Sequence, residues 1–482
     1  MKQARSAAVL KETKANLYEQ VADKVTRLIE NGTFRAGDRI PSVRRIHKDM
    51  KVSVTTAIEA YRLLEDRGAI QARPQSGFYV LPHYPKSIDV PDVPRVDANP
   101  TPIRMSDYFR MIIRDVGNPD MIQLGSLQPD PELLPMHRLN LILSAAVRRN
   151  KRKSLLYDEI QGYKPLRVQI AQQLLAAGCV VDPKEIIITS GCAEAIMLAL
   201  IATCEPGDAV AVESPVFFNL LMLLELFKIK VVEIPTHPVH GIVLESLEDA
   251  LKEHPISACF ANPNFSTPTG SCMPEENKRR LVQMLAERAI PLIEDDIYGD
   301  IYYHAERPWA AKAFDTRGLV LSCSSFSKTL APGFRVGWIV PGRFKSRVEH
   351  AKSVGNSATA TPPQMAIAEF LADGGYNRHL RNIRRLYAQK ITAMAKAVER
   401  FFPKGTKITH PKGGFSLWVE LPMPSDSLKL YERAHQRGIS FVPGPLFSAR
   451  QKYENFLRLN AAMWSEKAEE AIATIGYLAA EL

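Results

Sequence analysis

Between residues 185 and 340, short apolar runs alternate with longer helical patterns. The runs cover 185–189, 209–213, 231–235, 258–261, 291–296, 319–322 and 336–340. Strands that are apolar on both faces and separated by helices belong to a mostly parallel sheet with a helical layer on each side. From about residue 341 the pattern turns to helices, a strand-like stretch at 414–421 and a last helix from Glu466. With residues 105–160, this tail reads as a smaller α+β part. The expected main domain is therefore α/β and spans 105–482. Its large part covers about 160–345, and its small part 105–159 and 346–482.

At 482 residues the chain exceeds one ordinary domain. Residues 1–86 hold 16 Lys and Arg against 9 Asp and Glu, a large share of the net charge of +10. That asymmetry suits a polyanion partner, or a basic solvated surface with none. Six prolines, at 82, 85, 91, 94, 100 and 102, then fall among polar residues. The stretch 82–104 reads as a semi-extended linker, or as a strap wrapped on the large domain. The six cysteines, Cys179, Cys192, Cys204, Cys259, Cys272 and Cys323, form no CxxC pair. This argues against a disulfide framework or a zinc ribbon, and no metal site is expected. Apolar runs fall short of the ~20 residues that cross a bilayer, and residues 1–14 hold no apolar leader segment. A cytoplasmic protein without a membrane partner is expected.

Within the basic module, Tyr18, Val21, Val25 and Leu28 form one helical stripe that Gly32 ends. Ser42, after Pro41, suits the cap of a second helix. After a tight break at 51–53, Val54, Ala57, Ile58, Tyr61 and Leu64 mark the buried stripe of a third, with Thr55, Thr56, Glu59 and Arg62 off it. Gly68 closes that helix, and 69–80, with Pro74 and Gly77 at the tip, reads as a two-stranded wing. Such a unit sets its third helix in a DNA major groove while hydroxyls and guanidinium groups hold phosphates. Arg44, Arg45, Ser53, Thr55 and Thr56 are placed for that. On Tyr18-Glu19-Gln20, Gly37-Asp38-Arg39-Ile40-Pro41-Ser42-Val43-Arg44, Ser53-Val54-Thr55-Thr56, Ala60-Tyr61-Arg62-Leu63-Leu64-Glu65 and Ser76-Gly77-Phe78-Tyr79-Val80, the module resembles the winged helix-turn-helix of the GntR family of bacterial regulators. The resemblance implies a DNA-binding domain over 14–81, with double-stranded operator DNA as partner and Ser76 and Gly77 of the wing at the interface. The family often has Arg after the Ser of the third helix. Val54 stands there instead, so base preference does not carry over.

Four stretches of the large domain bear chemistry. Residues 186–189 run into Ser190-Gly191-Cys192-Ala193-Glu194, where small residues at a helix start admit a phosphate or make a plain tight turn. Ile293-Glu294-Asp295-Asp296-Ile297-Tyr298 sets a carboxylate and a phenol at a strand end, as a pyridine-type ring or magnesium would need. Ser324-Ser325-Phe326-Ser327-Lys328 holds a lysine among hydroxyls, with Arg335 seven residues on, which suits an imine-forming amine beside a phosphate-binding guanidinium. Finally, Phe456-Leu457-Arg458-Leu459-Asn460 places an arginine in an apolar strand. Buried, it needs an anion, either a structural carboxylate or a substrate's.

Together these motifs make residues 120–480 resemble a fold type I, class I/II aminotransferase-like domain that binds pyridoxal 5′-phosphate, and make the whole chain resemble the MocR subfamily of GntR-type regulators. By that resemblance Lys328 carries the cofactor as an imine, Asp295 pairs with its pyridine nitrogen and Tyr298 bonds the ring hydroxyl. Ser325, Ser327 and Arg335, with the backbone of Cys192 and Ala193, hold the phosphate, and Phe217 stacks on the ring. Tyr157, before Gly162, reaches the phosphate of a neighbouring subunit, which implies a homodimer. Arg458 clamps a substrate α-carboxylate. Where the family usually has Asn before Pro-Thr-Gly, this chain has Thr267. The resemblance implies a regulator that senses an amino acid or amine through external aldimine formation, with or without residual aminotransferase activity. The alternative is a metabolic aminotransferase with a vestigial or accessory DNA-binding module.

Overall fold

The computed structural model describes residues 16–85, 87–103, 114–115, 118 and 120–482. The expected start of the basic module at residue 14, and most of 104–119 in the expected small part, lie outside the described residues. The chain divides into two compact units, with the boundary between His83 and Tyr84.

In the first unit, α1 (Leu17–Glu30), α2 (Val43–Met50) and α3 (Val54–Asp66) are followed by β1 (Ile70–Arg73) and β2 (Gly77–Val80), an antiparallel pair. Serines start both short helices: Ser42 Oγ accepts from Arg45 N, and Ser53 Oγ from Thr56 N at 3.0 Å. Between them Lys51 adopts a left-handed conformation, φ 53°, which breaks the backbone after one short helix. Val21, Val25, Ala57, Ala60, Tyr61, Leu64, Ile70 and Val80 make the core. The Tyr61 hydroxyl donates to Pro41 O at 2.5 Å, so α3 is pinned to the segment that begins α2.

One expectation is corrected here. Val54 and Ile58 do not lie on the buried stripe of α3: they are 45% and 38% exposed, while Ala60 is fully buried. The buried face centres on Ala57, Ala60, Tyr61 and Leu64. Ile58 lies about 100° round the helix from Ala57 at 3.6 residues per turn, on the edge of that face. Val54 belongs to the first turn, where no neighbouring helix covers it.

The second unit is built on an eight-stranded sheet in the order β4-β11-β10-β9-β8-β5-β6-β7. Its strands are β4 (Ile187–Thr189), β5 (Ala209–Ser214), β6 (Lys230–His237), β7 (Gly241–Ile242), β8 (Ile256–Ala261), β9 (Leu292–Asp295), β10 (Val320–Ser325) and β11 (Gly337–Val340). The run from β10 to β6 is parallel, and β11 and β7 are antiparallel to their neighbours. Successive residues of one strand serve opposite cores. Val210 and Val212 pack under helices Cys192–Thr203, Phe218–Leu226 and Lys345–Gly355, whereas Ala209 and Ala211 pack under Leu244–Glu253 and Glu275–Glu287. That is why the runs read as apolar without alternation.

A four-stranded sheet follows, β12 (Lys407–Ile408), β13 (Ser416–Glu420), β16 (Phe456–Asn460) and β15 (Val442–Pro443). β3 (Ile122–Gln123) pairs in parallel with β14 (Ile439–Ser440), which brings residues 124–128 beside β16. From Tyr84 the proline-rich stretch lies on this unit. Tyr84 stacks on His410 at 4.7 Å and bonds Pro411 O, Lys407 pairs with Asp92, Thr101 bridges to Val231, and Arg450 bonds Asp97. Of the two readings of this stretch, the contacts are those of a strap from Tyr84 onward.

Because Leu64 is fully buried at the meeting of α1, α3 and the wing, Leu64→Ala is expected to cost the first unit about 2–5 kcal/mol. Calorimetry should show the transition of that unit lowered while the larger transition of the second unit stays in place.

Candidate functional site

The C-terminal ends of the parallel strands open onto one cavity of about 180 Å³, the place where open α/β sheets bind ligands. β9 ends at Asp295, and β10 delivers Ser325 followed by Ser327 and Lys328. Cys192 and Ala193 begin the helix Cys192–Thr203, and Phe217 precedes the helix Phe218–Leu226. All of these line the cavity, with Tyr298, Thr267 and Arg335.

One end of the cavity is built for an anion. Arg335, itself in a left-handed conformation at φ 51°, donates to Ser327 Oγ at 3.4 Å and to Ser190 O at 3.0 Å. It passes so close to Gly191 that a Cβ there would lie 2.4 Å from Nη2, and Gly191 has φ +90°. Glycine is therefore required twice over, for its backbone angle and for the approach of the guanidinium. The helix N-terminus, two hydroxyls and the guanidinium form a cup for a phosphate group.

At the other end, Asp295 is 5% exposed. Burial pushes its carboxyl up to about 6, against the pull of the Cys192 thiol, which donates at 3.4 Å, and of Ile297 N at 3.1 Å. A cationic ring nitrogen would pull it back down and hold the charged form. Adjacent Asp296 takes a different task, accepting from Asn264 Nδ2 at 2.8 Å and pairing with Arg307 at 2.5 Å.

Lys328 donates to Leu127 O at 2.5 Å. Burial first, and the charge of Arg458 second, bring its amine down to about 8. Arg458, on β16, is wholly buried against the rings of Phe447 and Phe218, 5.6 and 6.0 Å away. Its Nη2 donates to Gly125 O, while Nε and Nη1 have no partner, and burial pulls its pKa down to about 10. The loop 124–128 thus offers one carbonyl to Arg458 and another to Lys328. Asn460, also on β16, donates to Ser126 O and Gln128 O.

Unpaired polar atoms gather round this cavity. The hydroxyls of Tyr298 and Thr267, near neighbours, lack a well-formed hydrogen bond, and burial pushes the Tyr298 phenol up. Glu213 Oε1 and Asn262 Oδ1 are likewise buried without a partner. Buried polar groups are normally satisfied, so this concentration fits a polar ligand with a phosphate, a ring nitrogen and a ring oxygen.

Tyr157 is not brought to the cavity. It is 89% exposed beside exposed Leu155 and Leu156. In the first unit Arg44, Arg45, Ser53 and Thr55 are exposed, Thr56, Ser76 and Gly77 half-buried. Arg45 pairs with Asp49, and Ser76 Oγ bonds the Tyr79 hydroxyl. Sequence reasoning misses Glu213 and Asn262 as lining residues. Glu213 accepts from Asn262 N at 2.9 Å and Ser266 Oγ at 3.3 Å, and burial raises it to about 8. The available signal is their place at the ends of apolar runs, the same signal that marks Asp295. Among the described residues no helix is long and apolar enough to cross a membrane, and no group of His, Cys, Asp or Glu could hold a metal ion.

Residues 119–475 match the family model described as aminotransferase class I and II, and residues 17–80 that of bacterial regulatory proteins, gntR family. The chain is 38% identical over 460 residues to an uncharacterized HTH-type transcriptional regulator, YjiR, of Escherichia coli (strain K12), a match covering 95% of this chain and 98% of that protein. The kynurenine aminotransferase of Pyrococcus horikoshii, solved with PMP, superposes with a TM-score of 0.73 at 31% identity over 78% of this chain and 95% of its own. LysN, the alpha-aminoadipate aminotransferase of Thermus thermophilus, solved with N-(5′-phosphopyridoxyl)-L-leucine, gives 0.72 at 29% identity over 78% and 95%. Fold and pocket thus define a winged helix-turn-helix joined to a fold type I aminotransferase-type unit, whose cofactor is pyridoxal 5′-phosphate. The chain belongs to the GntR-type transcriptional regulators of the MocR type.

An amine brought to about 8 condenses with an aldehyde at lower pH than one at the ordinary 10.5. Covalent capture of pyridoxal phosphate by the apoprotein, trapped with borohydride over a pH series, is therefore expected to rise to half its maximum near pH 8. Arg458→Gln removes a charge that disfavours protonated Lys328, so it should move this midpoint upward.

Proposed function

We propose that this protein is a pyridoxal-phosphate-dependent DNA-binding regulator that senses an amino acid or amine in its second unit. One observation carries the reading: Lys328, Asp295, Tyr298 and Arg335 line one cavity, and the charge of buried Arg458, outside that lining, reaches Lys328, in a chain that also bears a DNA-binding module. In this reading Lys328 holds the cofactor, Asp295 its ring nitrogen, Tyr298 its ring oxygen and Phe217 its face. Arg335, Ser325, Ser327 and the backbone N–H groups of Cys192 and Ala193 hold its phosphate. The cofactor, when bound, supplies an aldehyde carbon that takes up amines and a ring that withdraws electrons from them.

The protein's own part is to bind and orient. Arg458 has two buried nitrogens without partners, and a ligand carboxylate would give them a charge-assisted pair. An amine arriving beside that carboxylate meets the position of the Lys328 Nζ. Lys328 would be the amine placed to take or return a proton at the ligand's α-carbon. The exposed Leu155, Leu156 and Tyr157 fit a homodimer in which Tyr157 serves the partner's phosphate cup. Ligand binding would act on DNA by changing how two modules are presented to their half-sites.

A metabolic aminotransferase with an accessory module is the second reading, favoured by Lys328, Asp295, Tyr298 and Arg335 all lining one cavity with Arg458 close enough for its charge to reach Lys328. A gel-shift with DNA from upstream of the protein's own coding region separates the two. A specific shift that an amino acid alters supports the regulator, and no specific shift at any salt concentration overturns it. Arg458→Ala is expected to weaken the spectral response to α-amino acids at least tenfold while sparing simple amines. Equal losses for both would remove Arg458 from ligand binding.

A further inference from the structure

The outward face of α3 carries two apolar side chains where a DNA-reading helix is usually polar. Val54, in the first turn, is 45% exposed, and Ile58, one turn on, is 38% exposed. Residues four apart on a helix lie on one side, so the two make a continuous apolar strip on the N-terminal half of α3. Hydroxyls flank it: Ser53 caps the helix and bonds the Thr56 hydroxyl at 2.7 Å, and Thr55 is exposed. Arg62, a turn further on, is held by Glu59 at 2.8 Å. The cap hydroxyls are thus spent on starting the helix, and the nearest basic side chain of α3 is paired. Beside the Thr55 hydroxyl, what the N-terminal half offers to a groove is branched hydrocarbon.

In the major groove one base feature answers hydrocarbon, the C5-methyl group of thymine. The other edges are hydrogen-bond donors and acceptors that Val and Ile cannot satisfy. We infer that Val54 and Ile58 read thymine methyl groups, so that this protein selects A·T pairs at the positions its third helix addresses. The inference rests on the DNA-binding reading above and adds the base class to it. Arg44, Arg45 and the wing would contribute affinity without choosing the base.

Replacing thymine by deoxyuridine removes that methyl group and leaves every hydrogen-bonding edge intact. The full-length, cofactor-loaded protein is first used to select binding sites from a random duplex library. Each thymine of the selected site is then replaced singly by deoxyuridine, and affinities are measured at fixed salt for wild type, Val54→Ala and Ile58→Ala. At one or more thymines per half-site, the replacement is expected to weaken wild-type binding about fourfold, the transfer value of one buried methyl group. The same replacement should have no effect in the variant that lost the contacting side chain. The slope of affinity with salt should be unchanged in both variants, because phosphate contacts remain. Tolerance of deoxyuridine at every position, or equal losses in wild type and both variants, would overturn the inference while leaving DNA binding intact. Failure to enrich any sequence would instead overturn the regulator reading, and this inference with it.

Discussion

A buried guanidinium short of partners is the condition around which the second unit's site is arranged. Arg458 is fully buried with two nitrogens unpartnered, half-buried Lys328 stands near enough to feel its charge, and the exposed Arg335 closes the far end of the cavity that Lys328 lines. Asp295 is the carboxylate of the same cavity, and burial pushes it up to about 6. Isolated buried cations are costly unless paired. The fold tolerates them because loop 124–128 offers Gly125 O and Leu127 O as provisional acceptors. A phosphate and a carboxylate would complete the charge balance that the protein leaves open.

This balance depends on the parallel sheet. Glu213, Asp295 and Ser325 lie at the ends of neighbouring strands and Asn262 one residue beyond β8, so they converge without any long loop having to place them. The smaller sheet contributes Arg458 and Asn460 from a single strand, β16, whose alternate residues pack inward on the aromatic cluster of Trp418 and Phe447. Asp295, Ser325, Arg458 and Asn460 therefore sit on strands, while Lys328 and Tyr298 follow in the turns just beyond β10 and β9.

Much of this is legible in the chain, because strands buried on both faces leave uninterrupted apolar runs. All seven runs are strands, with ends displaced by only a few residues. The motif residues from Cys192 to Arg335 meet at one cavity because most belong to a strand end, a helix start or the turn that directly follows a strand. Two classes of fact are hidden. Glu213 and Asn262 look like ordinary strand-end polar residues, since what makes them part of the site is the neighbour across the sheet. The carbonyls of residues 125–128 carry no side-chain signature at all. In α3, a stripe drawn from large apolar residues gives alanines little weight. It therefore centres the face one position too far round and turns Val54 and Ile58 inward.

Gly191 has an evolutionary consequence. With φ at +90° and Arg335 Nη2 within 2.4 Å of where a side chain would begin, this position has almost no substitutional freedom, and the backbone angle alone would keep it glycine if Arg335 were lost. The coupling therefore runs one way. A descendant that abandoned its phosphate-bearing ligand would be free to vary at 335 while the glycine, 144 residues away in the chain, stayed behind as the remnant of the cup.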